Sequence, residues 1–303
     1  MKKILIIGGT EFLGFNLLKL LNKNYKIISI SLKKPKKSRK IKKVEYLRAD
    51  ISKINSLNKI KKKISKVNFV FNFGGHVIHD NKEMVYKTHY IGAKNLMNFY
   101  LTKKIDLFIQ IGSSMEYGKI SSPQKEENIC KPISHYGKAK LLATKYAKKL
   151  FKLYKFPVVI FRPYQVYGPN QDNNRLIPFT IHKCIKGENF PCSSGEQHRD
   201  FLYISDFVKC LKLCLKNKKS SGEIFNIGQG KAIKIKNVIL SIIKKVNNGY
   251  PEFGKIKLRK EESKLIFPDV NKIKRSLKWK AKINFDKGIN KTVTFYKKNQ
   301  GIN

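Results

Sequence analysis

Short apolar runs alternate with amphipathic stretches through the first half of the chain. Runs rich in Ile, Val and Phe are typical of strands buried on both faces. They predict strands at Lys3–Ile7, Lys26–Ser31, Val44–Leu47, Val67–Phe73, Leu107–Gly112 and Pro157–Phe161. Apolar residues spaced three and four apart predict intervening helices at Phe15–Leu21, Ile54–Ile64, His89–Leu101 and Tyr136–Tyr154. This alternation predicts an α/β fold with a doubly wound parallel sheet covered by helices on both faces.

The rhythm changes after Pro169 to shorter elements separated by Pro and Gly, with helices near Pro178–Lys186 and Asp206–Leu215. We therefore expect a main domain at residues 1–169 and a smaller carboxy-terminal lobe at residues 170–303. Some late segments of that lobe are expected to return to the main sheet.

A glycine-containing turn follows the first predicted strand and opens a helix, in the order Gly8-Gly9-Thr10-Glu11-Phe12-Leu13-Gly14. Glycine permits positive φ and a close approach of the backbone to a pyrophosphate, while the helix amino end supplies N–H donors. In this context the pattern predicts a Rossmann-type dinucleotide site. Its candidate residues are Gly8, Thr10, Glu11, Phe12, Leu13 and Gly14.

The end of the second predicted strand bears on the choice of cofactor. Dinucleotide folds often carry an acid there, which binds the ribose 2′-hydroxyl of NAD. This chain has Ser31, followed by Leu32, Lys33 and Lys34. A hydroxyl and ammonium groups suit a 2′-phosphate, whereas a carboxylate would repel it. The missing acid therefore favours NADP(H), with NAD(H) as the alternative.

Two segments carry candidate chemistry. Ser113 lies in Gly112-Ser113-Ser114-Met115-Glu116-Tyr117-Gly118 at the end of a predicted strand, and Tyr136 and Lys140 form a Tyr-x-x-x-Lys pattern on a predicted helix. Residues four apart share one helix face, so the ammonium is expected near the phenol. A nearby cation favours the phenolate, so we expect it to lower the pKa of Tyr136 toward a usable range.

In these segments the chain resembles the extended short-chain dehydrogenase/reductase family, which includes the NAD-dependent nucleotide-sugar epimerases, dehydratases and reductases. The resemblance covers nearly the whole chain. Beyond the segments above, it rests on Ala49-Asp50-Ile51, Phe73-Gly74-Gly75, residues 132–136, 162–169, 176–178, 195–201 and 225–228.

The resemblance implies a role for each matching residue. Asp50 and Ile51 would flank the adenine, Phe73, Gly74 and Gly75 would lie along the cofactor, and Pro163 would lie by the nicotinamide amide. Ser113 would bind the reacting sugar oxygen, Tyr136 would exchange its proton, and Lys140 would bind the nicotinamide ribose. On the substrate side the candidates are Ser114, Met115, Gln165, Arg199 and Arg259, the two arginines as diphosphate clamps. An ion pair of Arg199 with Asp200 or Asp206 is the structural alternative.

The chain departs from the family pattern at three places. Glu11 replaces the middle glycine of the loop, and His89 replaces a frequent Asn. Dehydratases of the family carry an acid two residues before the tyrosine of the Ser-Ser segment, where this chain has Met115. The acid, Glu116, is displaced by one and is expected to point to the opposite face of a strand. Sugar dehydration is therefore disfavoured.

Two reactions remain, and both transfer hydride and a proton at a sugar carbonyl. Residues 176–178, 195–201 and 253–285 most closely resemble CDP-abequose synthase-like nucleotide-4-keto-6-deoxyhexose reductases, and Ser31 in place of an acid agrees with a reductase. The alternative is a nucleotide-sugar 4-epimerase that retains NAD. His76 and His79 are expected to be loop histidines, with a second proton donor as the alternative. A catalytically inactive binding protein of the same fold is a further alternative, which the complete Ser113, Tyr136 and Lys140 set disfavours.

The formal charge of +45 raises nucleic acid or a membrane surface as a partner. However, only seven of the 65 basic residues are arginine, so we attribute the charge to a general bias toward Lys, Ile and Asn and expect no nucleic-acid partner. No apolar run reaches membrane-spanning length, and we expect a cytoplasmic protein. The five cysteines lack metal-ligand spacing, so we expect free thiols and no metal. The resemblance implies a homodimer through the Tyr136 helix.

Overall fold

The computed structural model describes residues 1–75, 81–217, 220–258 and 262–299. The strands are β1 (Lys3–Ile7), β2 (Lys26–Ser31), β3 (Val44–Arg48), β4 (Phe69–Asn72), β5 (Leu107–Ile111), β6 (Val158–Pro163), β7 (Gln165–Tyr167), β8 (Asn189–Pro191), β9 (His198–Tyr203), β10 (Ile224–Ile227), β11 (Ala232–Lys234), β12 (Tyr250–Glu252) and β13 (Leu265–Ile266). The helices are α1 (Phe12–Leu21), α2 (Ile54–Ile64), α3 (Lys82–Tyr86), α4 (Gly92–Leu101), α5 (His135–Tyr154), α6 (Leu176–Ile185), α7 (Ile204–Cys214), α8 (Ile235–Val246), α9 (Asn271–Leu277) and α10 (Phe285–Asn299).

Seven parallel strands form the main sheet, in the order β10-β6-β5-β4-β1-β2-β3. Both of its faces are buried, as alternation along β1 illustrates. Ile4 and Ile6 pack into the hydrophobic cluster on one face, and Leu5 and Ile7 pack into the cluster on the other. Side chains of a strand alternate between faces, so an entirely apolar strand is suited to a sheet covered twice. The predicted doubly wound α/β fold is confirmed.

The strand order reverses between β1 and β4, which are neighbours although two strands separate them along the chain. Ligands of open α/β sheets bind outside the carboxyl ends of the strands at such a switch point. The glycine turn after β1 and the Gly74-Gly75 pair after β4 therefore lie at the same crevice.

The remaining strands form smaller sheets. One contains β7, β9, β11 and β13, and the other pairs β8 with β12. Helices α6, α8 and α10 pack on one another beside them. The chain re-enters the main sheet at β10, which pairs with β6.

The predicted elements of the first half lie within a few residues of the observed ones, and α1 begins three residues earlier than predicted, at Phe12 rather than Phe15. Cys210 and Cys214 are buried free thiols, as expected. Within the described residues, no three His, Cys, Asp or Glu side chains cluster as metal ligands. No helix there is long and apolar enough to cross a bilayer.

Candidate active site

The glycine turn makes a tight connection between β1 and α1. Gly8 has φ +76°, a conformation that favours glycine. A Cβ on Gly14 would lie 2.3 Å from the Gly8 carbonyl oxygen, so the first turn of α1 packs directly against the loop. Glu11 occupies the N-cap position of α1 in an extended conformation, with a largely exposed side chain. The backbone of this turn has the close approach that a pyrophosphate site requires.

Ser31 contacts the glycine turn through Thr10, whose hydroxyl donates a 2.9 Å hydrogen bond to the Ser31 hydroxyl. Arg39 reaches the same turn from the loop after β2. Its guanidinium donates to the carbonyl oxygens of Thr10, at 2.9 Å, and Asn170, at 2.8 Å. It also lies 3.7 Å from the Glu11 carboxylate. A fixed guanidinium therefore lies beside Ser31 and Thr10, whereas Lys33 is exposed on the preceding segment.

The other wall of the crevice follows β4. A Cβ on Gly74 would lie 2.8 Å from the Ile51 side chain, and one on Gly75 would lie 2.0 Å from the His89 ring. The ring of Phe73 stacks on that of Phe71, which belongs to the hydrophobic cluster on one face of the sheet. Neither position therefore has room for a side chain, and the chain after β4 passes Ile51 and His89 as bare backbone.

Asp50 lies next to Ile51 after β3. Its carboxylate accepts hydrogen bonds from the Ser52 amide, at 2.9 Å, and the Ser52 hydroxyl, at 2.6 Å. These bonds fix the short turn that places the Ile51 side chain under Gly74.

Tyr136 and Lys140 lie on the first turns of α5, as the spacing predicts. Ser134 caps this helix, since its hydroxyl accepts a hydrogen bond from the Gly137 amide at 3.1 Å. The Lys140 ammonium lies 5.8 Å from the centre of the Tyr136 ring and donates a 2.7 Å hydrogen bond to the Ile111 carbonyl oxygen at the end of β5. Lys140 is thereby fixed beside the segment that carries Ser113.

Ser113 and Tyr136 interact through their side chains, and this hydrogen bond favours the phenolate. Burial has the larger effect, however, and with the Glu116 carboxylate nearby the pKa of Tyr136 is raised to about 12. Among the protein's own groups, burial therefore outweighs the lowering of the Tyr136 pKa that a nearby cation is expected to produce. Burial also lowers the pKa of Lys140 to about 8. At neutral pH the site therefore contains a protonated phenol beside an ammonium.

Glu116 occupies a different environment from the one predicted. Strand β5 ends at Ile111, and Ser114–Glu116 form one turn of 3-10 helix, so the alternation of a strand does not apply. The Glu116 carboxylate is fully buried and pairs with Arg162 at 2.9 Å. Met115 is 45 % exposed. The acid is thus directed into the protein, and an apolar side chain is presented outward.

A family model described as "NAD dependent epimerase/dehydratase family" matches residues 4–228. The chain belongs to this family. It is similar to a dTDP-D-glucose 4,6-dehydratase of Mus musculus (27% identity over 98% of this chain and 89% of the relative). It is also similar to a putative UDP-glucose 4-epimerase of Methanocaldococcus jannaschii, with 31% identity over 98% of this chain and 99% of the relative. A further relative is CDP-abequose synthase of Salmonella muenchen, with 28% identity over 97% of this chain and 97% of the relative.

Among solved structures, the fold is similar to UDP-glucose 4-epimerase of Thermotoga maritima with UDP-glucose. The TM-score is 0.92 at 23% identity, covering 98% of this chain and 99% of that one. These relatives of the epimerase/dehydratase family include both epimerases and dehydratases, so membership alone leaves the reaction type open.

Two departures from the family pattern have a visible structural consequence. Glu11, in place of the middle glycine, lies near the Arg39 guanidinium, which offsets its charge at the anion-binding end of α1. His89, in place of the frequent Asn, is buried and packs edge-to-face on Tyr136, with ring centres 4.9 Å apart.

The candidate substrate residues differ in how far they are exposed to solvent. Ser114 and Pro163 are half-buried, and Gln165 is exposed on β7. Arg199 is buried and donates a 2.7 Å bond to the Glu262 carboxylate, so the predicted alternative partners, Asp200 and Asp206, are wrong.

Those two acids accept bonds from backbone amides instead. Asp200 binds the amides of residues 229–231, and Asp206 binds those of residues 282 and 283. Arg259, His76 and His79 lie outside the described residues.

Sequence analysis missed three residues that the structure brings to the candidate active site. Arg39 lies on the glycine turn, Arg162 pairs with Glu116, and Arg175 is close enough to Tyr136 for its charge to favour the phenolate. One signal was available in the composition, because arginine is rare in this lysine-rich chain.

Proposed function

We propose that the protein reduces the 4-keto group of a nucleotide-activated 6-deoxyhexose, with Tyr136 as the proton donor. The observation that carries this proposal is the placement of the Tyr136 phenol beside the Ser113 hydroxyl and the Lys140 ammonium. Reduction of a ketone consumes one proton at the carbonyl oxygen, and a buried phenol within reach of that oxygen is suited to supply it.

The crevice at the switch point fits a nicotinamide dinucleotide. The turn Gly8–Gly14 and the α1 amino end would bind the pyrophosphate, Asp50 and Ile51 would flank the adenine, and residues 73–75 would lie beneath. Pro163, at the end of β6, would lie by the amide. When bound, the reduced cofactor supplies hydride.

The chain's own residues would supply the remaining steps. The Ser113 hydroxyl would hydrogen-bond to the ketone oxygen and orient it toward Tyr136. The phenol would donate its proton as negative charge develops on that oxygen. The Lys140 ammonium would stabilise the resulting phenolate and bind the cofactor ribose, since an opposite charge nearby favours the ionised form.

NADP(H) is the favoured cofactor within this proposal, and NAD(H) is the alternative. Ser31 replaces the usual acid, so no carboxylate at that position repels a 2′-phosphate. Arg39 strengthens the argument, because its guanidinium is already fixed on Thr10 beside Ser31, and a guanidinium fork binds phosphate well. Exposed Lys33 would add a further positive charge.

The nucleotide-sugar substrate is supported by the names of the relatives and by Arg175, whose charge lies close enough to act on Tyr136. Arg175 and Arg199 are candidate contacts for the diphosphate, with Gln165 and Ser114 nearer the sugar; Arg259 completes the proposed set. Within the proposal, residues 1–169 bind the cofactor and residues 170–303 mainly bind the substrate. A homodimer through α5 is also proposed, and sedimentation equilibrium tests it.

A 4-epimerase that retains NAD is the second candidate, because the Methanocaldococcus relative and the Thermotoga structure are named as epimerases. Dehydration is disfavoured. A dehydratase needs an acid facing the sugar at the position of Met115, and the neighbouring Glu116 carboxylate is buried against Arg162.

Incubation with a panel of nucleotide-4-keto-6-deoxyhexoses, while NADPH and NADH absorbance is followed, tests the proposal. Stoichiometric oxidation of the cofactor with formation of a 4-hydroxy sugar supports a reductase. Formation of an isomer from a nucleotide hexose without net oxidation supports the epimerase. Tyr136→Phe is the inactive control, since it removes only the proton donor.

A further inference from the structure

Beneath the Ser113 segment lies an ion pair that is shielded from solvent. Glu116 is 0% exposed and Arg162 is 2% exposed. Both the Nε and the Nη2 atoms of Arg162 lie 2.9 Å from Oε2 of Glu116. The guanidinium also stacks 4.6 Å from the centre of the Tyr117 ring. These contacts of Arg162 with Oε2 therefore hold the Glu116 carboxylate in one orientation.

The other carboxylate oxygen points at the catalytic segment. Oε1 of Glu116 accepts a 2.8 Å hydrogen bond from the Ser113 amide, and the Ser113 hydroxyl accepts a 3.1 Å bond from the Met115 amide. These reciprocal bonds form a capping box around a single 3-10 turn. Gly112 leaves room for them, because a Cβ there would lie 2.4 Å from Oε1.

A buried ion pair is weak evidence for stability, since the cost of desolvating two charges offsets their attraction. The pair does, however, make a direct contact with Ser113, a candidate catalytic residue. Arg162 fixes Glu116, and Glu116 fixes the backbone of Ser113. Arg162, at the end of a core strand, is thus connected to Ser113 through Glu116.

We propose that Glu116 is a positioning residue, whose side-chain oxygen Oε1 sets the place of the Ser113 hydroxyl relative to Tyr136. This inference rests on the proposed function. A serine hydroxyl has one proton and two acceptor lone pairs. Because the Met115 amide occupies one lone pair, the hydroxyl keeps one proton and one lone pair for the substrate oxygen and the phenol.

The charge of Glu116 acts in the same direction. It raises the pKa of Tyr136, though less than burial does, and it opposes the effect of burial on Lys140. One carboxylate thus positions the hydroxyl and favours the protonated phenol and the ammonium. Arg162 remains charged as its counter-ion: burial opposes that charge, but Glu116 keeps the pKa of Arg162 above its ordinary value.

Two matched double variants test the positioning role. Glu116→Gln with Arg162→Met keeps an oxygen acceptor for the Ser113 amide, whereas Glu116→Met with Arg162→Met removes it. Neither leaves an unpaired buried charge. We expect kcat of the first to remain within about fivefold of the parent. We expect the second to fall about 100-fold, as small misplacements of reacting groups do. KM and NADPH affinity should be nearly equal in both.

Gly112→Ala provides an independent variant if the second double variant fails to fold. It retains both charges but places a methyl group 2.4 Å from the present position of Oε1, which must then shift, so kcat should again fall with little change in KM. Equal kcat in the two double variants, or an unchanged kcat in Gly112→Ala, would overturn the proposal.

The comparison does not depend on which sugar reaction the protein catalyses. If the parent epimerises instead of reducing, the same kcat ratios are measured in that reaction, since both use Ser113 and Tyr136. If the parent turns over neither substrate class, the proposed function is wrong. Crystal structures of the two double variants then decide the role of Glu116: the Ser113 hydroxyl must keep its place in the first and shift in the second.

Discussion

The buried charge of Lys140 should lower the free energy of unfolding of the protein at neutral pH. Burial lowers its pKa from 10.5 to about 8, although its ammonium donates to the Ile111 carbonyl. Each pKa unit is worth about 1.4 kcal/mol, so the buried charge costs about 3 kcal/mol at pH 7. Lys140→Met removes that cost and loses one hydrogen bond worth about 1 kcal/mol. We expect the variant to be about 2 kcal/mol more stable than the parent at pH 7.

The pH dependence gives this expectation its sign. The pKa of Lys140 is lower in the folded protein than in the unfolded chain, so the penalty is complete below pH 8 and disappears as pH rises through 10.5. At pH 9.5 it should be roughly 1.5 kcal/mol. The advantage of Lys140→Met should therefore shrink to about 0.5 kcal/mol at that pH.

Urea unfolding of both proteins at pH 7 and pH 9.5 measures the difference directly. Lys138→Met is the matched control, because Lys138 is exposed on the same helix and should show no pH-dependent difference. Turnover should be lost in Lys140→Met alone. A Lys140→Met protein that is less stable than the parent at pH 7, or an equal difference at both pH values, would refute the reasoning.

Three further variants address the proposed chemistry. Tyr136→Phe should lower kcat by at least ~100-fold, the usual contribution of a general acid, with unchanged NADPH affinity by fluorescence titration; unchanged turnover would remove Tyr136 from the mechanism. Ser31→Asp should shift the ratio of kcat/KM values from NADPH toward NADH, and an identical ratio in both proteins would contradict the specificity argument. Arg39→Met should weaken NADPH binding about tenfold, the loss of one charge-assisted hydrogen bond; unaltered affinity would exclude a phosphate contact.

The main sheet could be predicted because its signal is local. A strand such as Lys3–Ile7 is apolar throughout, and its neighbours repeat the pattern. The carboxy-terminal lobe offers little such signal. Strands β7, β8 and β11 are three residues long, too short for a period to be read. They exist because β9 and β12, distant in the chain, supply their pairing.

The same contrast divides the candidate site. Tyr136 and Lys140 were found because their spacing on one helix is a local property. The contact of Glu116 with Arg162 spans 46 residues, and that of Arg39 with Asn170 spans 131. Such contacts exist only once strands β5 and β6 are neighbours or the lobe is folded. The raised pKa of Tyr136 has the same origin, since burial is a property of the whole fold.

The scarcity of arginine nevertheless carries information. If a general bias replaces arginine by lysine wherever only a positive charge is needed, the arginines that remain mark places where a planar fork of donors matters. Three of the six within the described residues lie at the candidate site: Arg39 on the glycine turn, Arg162 beside Glu116 under Ser113, and Arg175 near Tyr136. Arg39 binds two carbonyl oxygens, and Arg162 binds one carboxylate oxygen through two nitrogens. The ammonium of a flexible lysine side chain is less suited to such paired contacts. In a chain with 65 basic residues, we therefore expect the functional positive charges to be distinguished by the planar shape of the guanidinium rather than by their number.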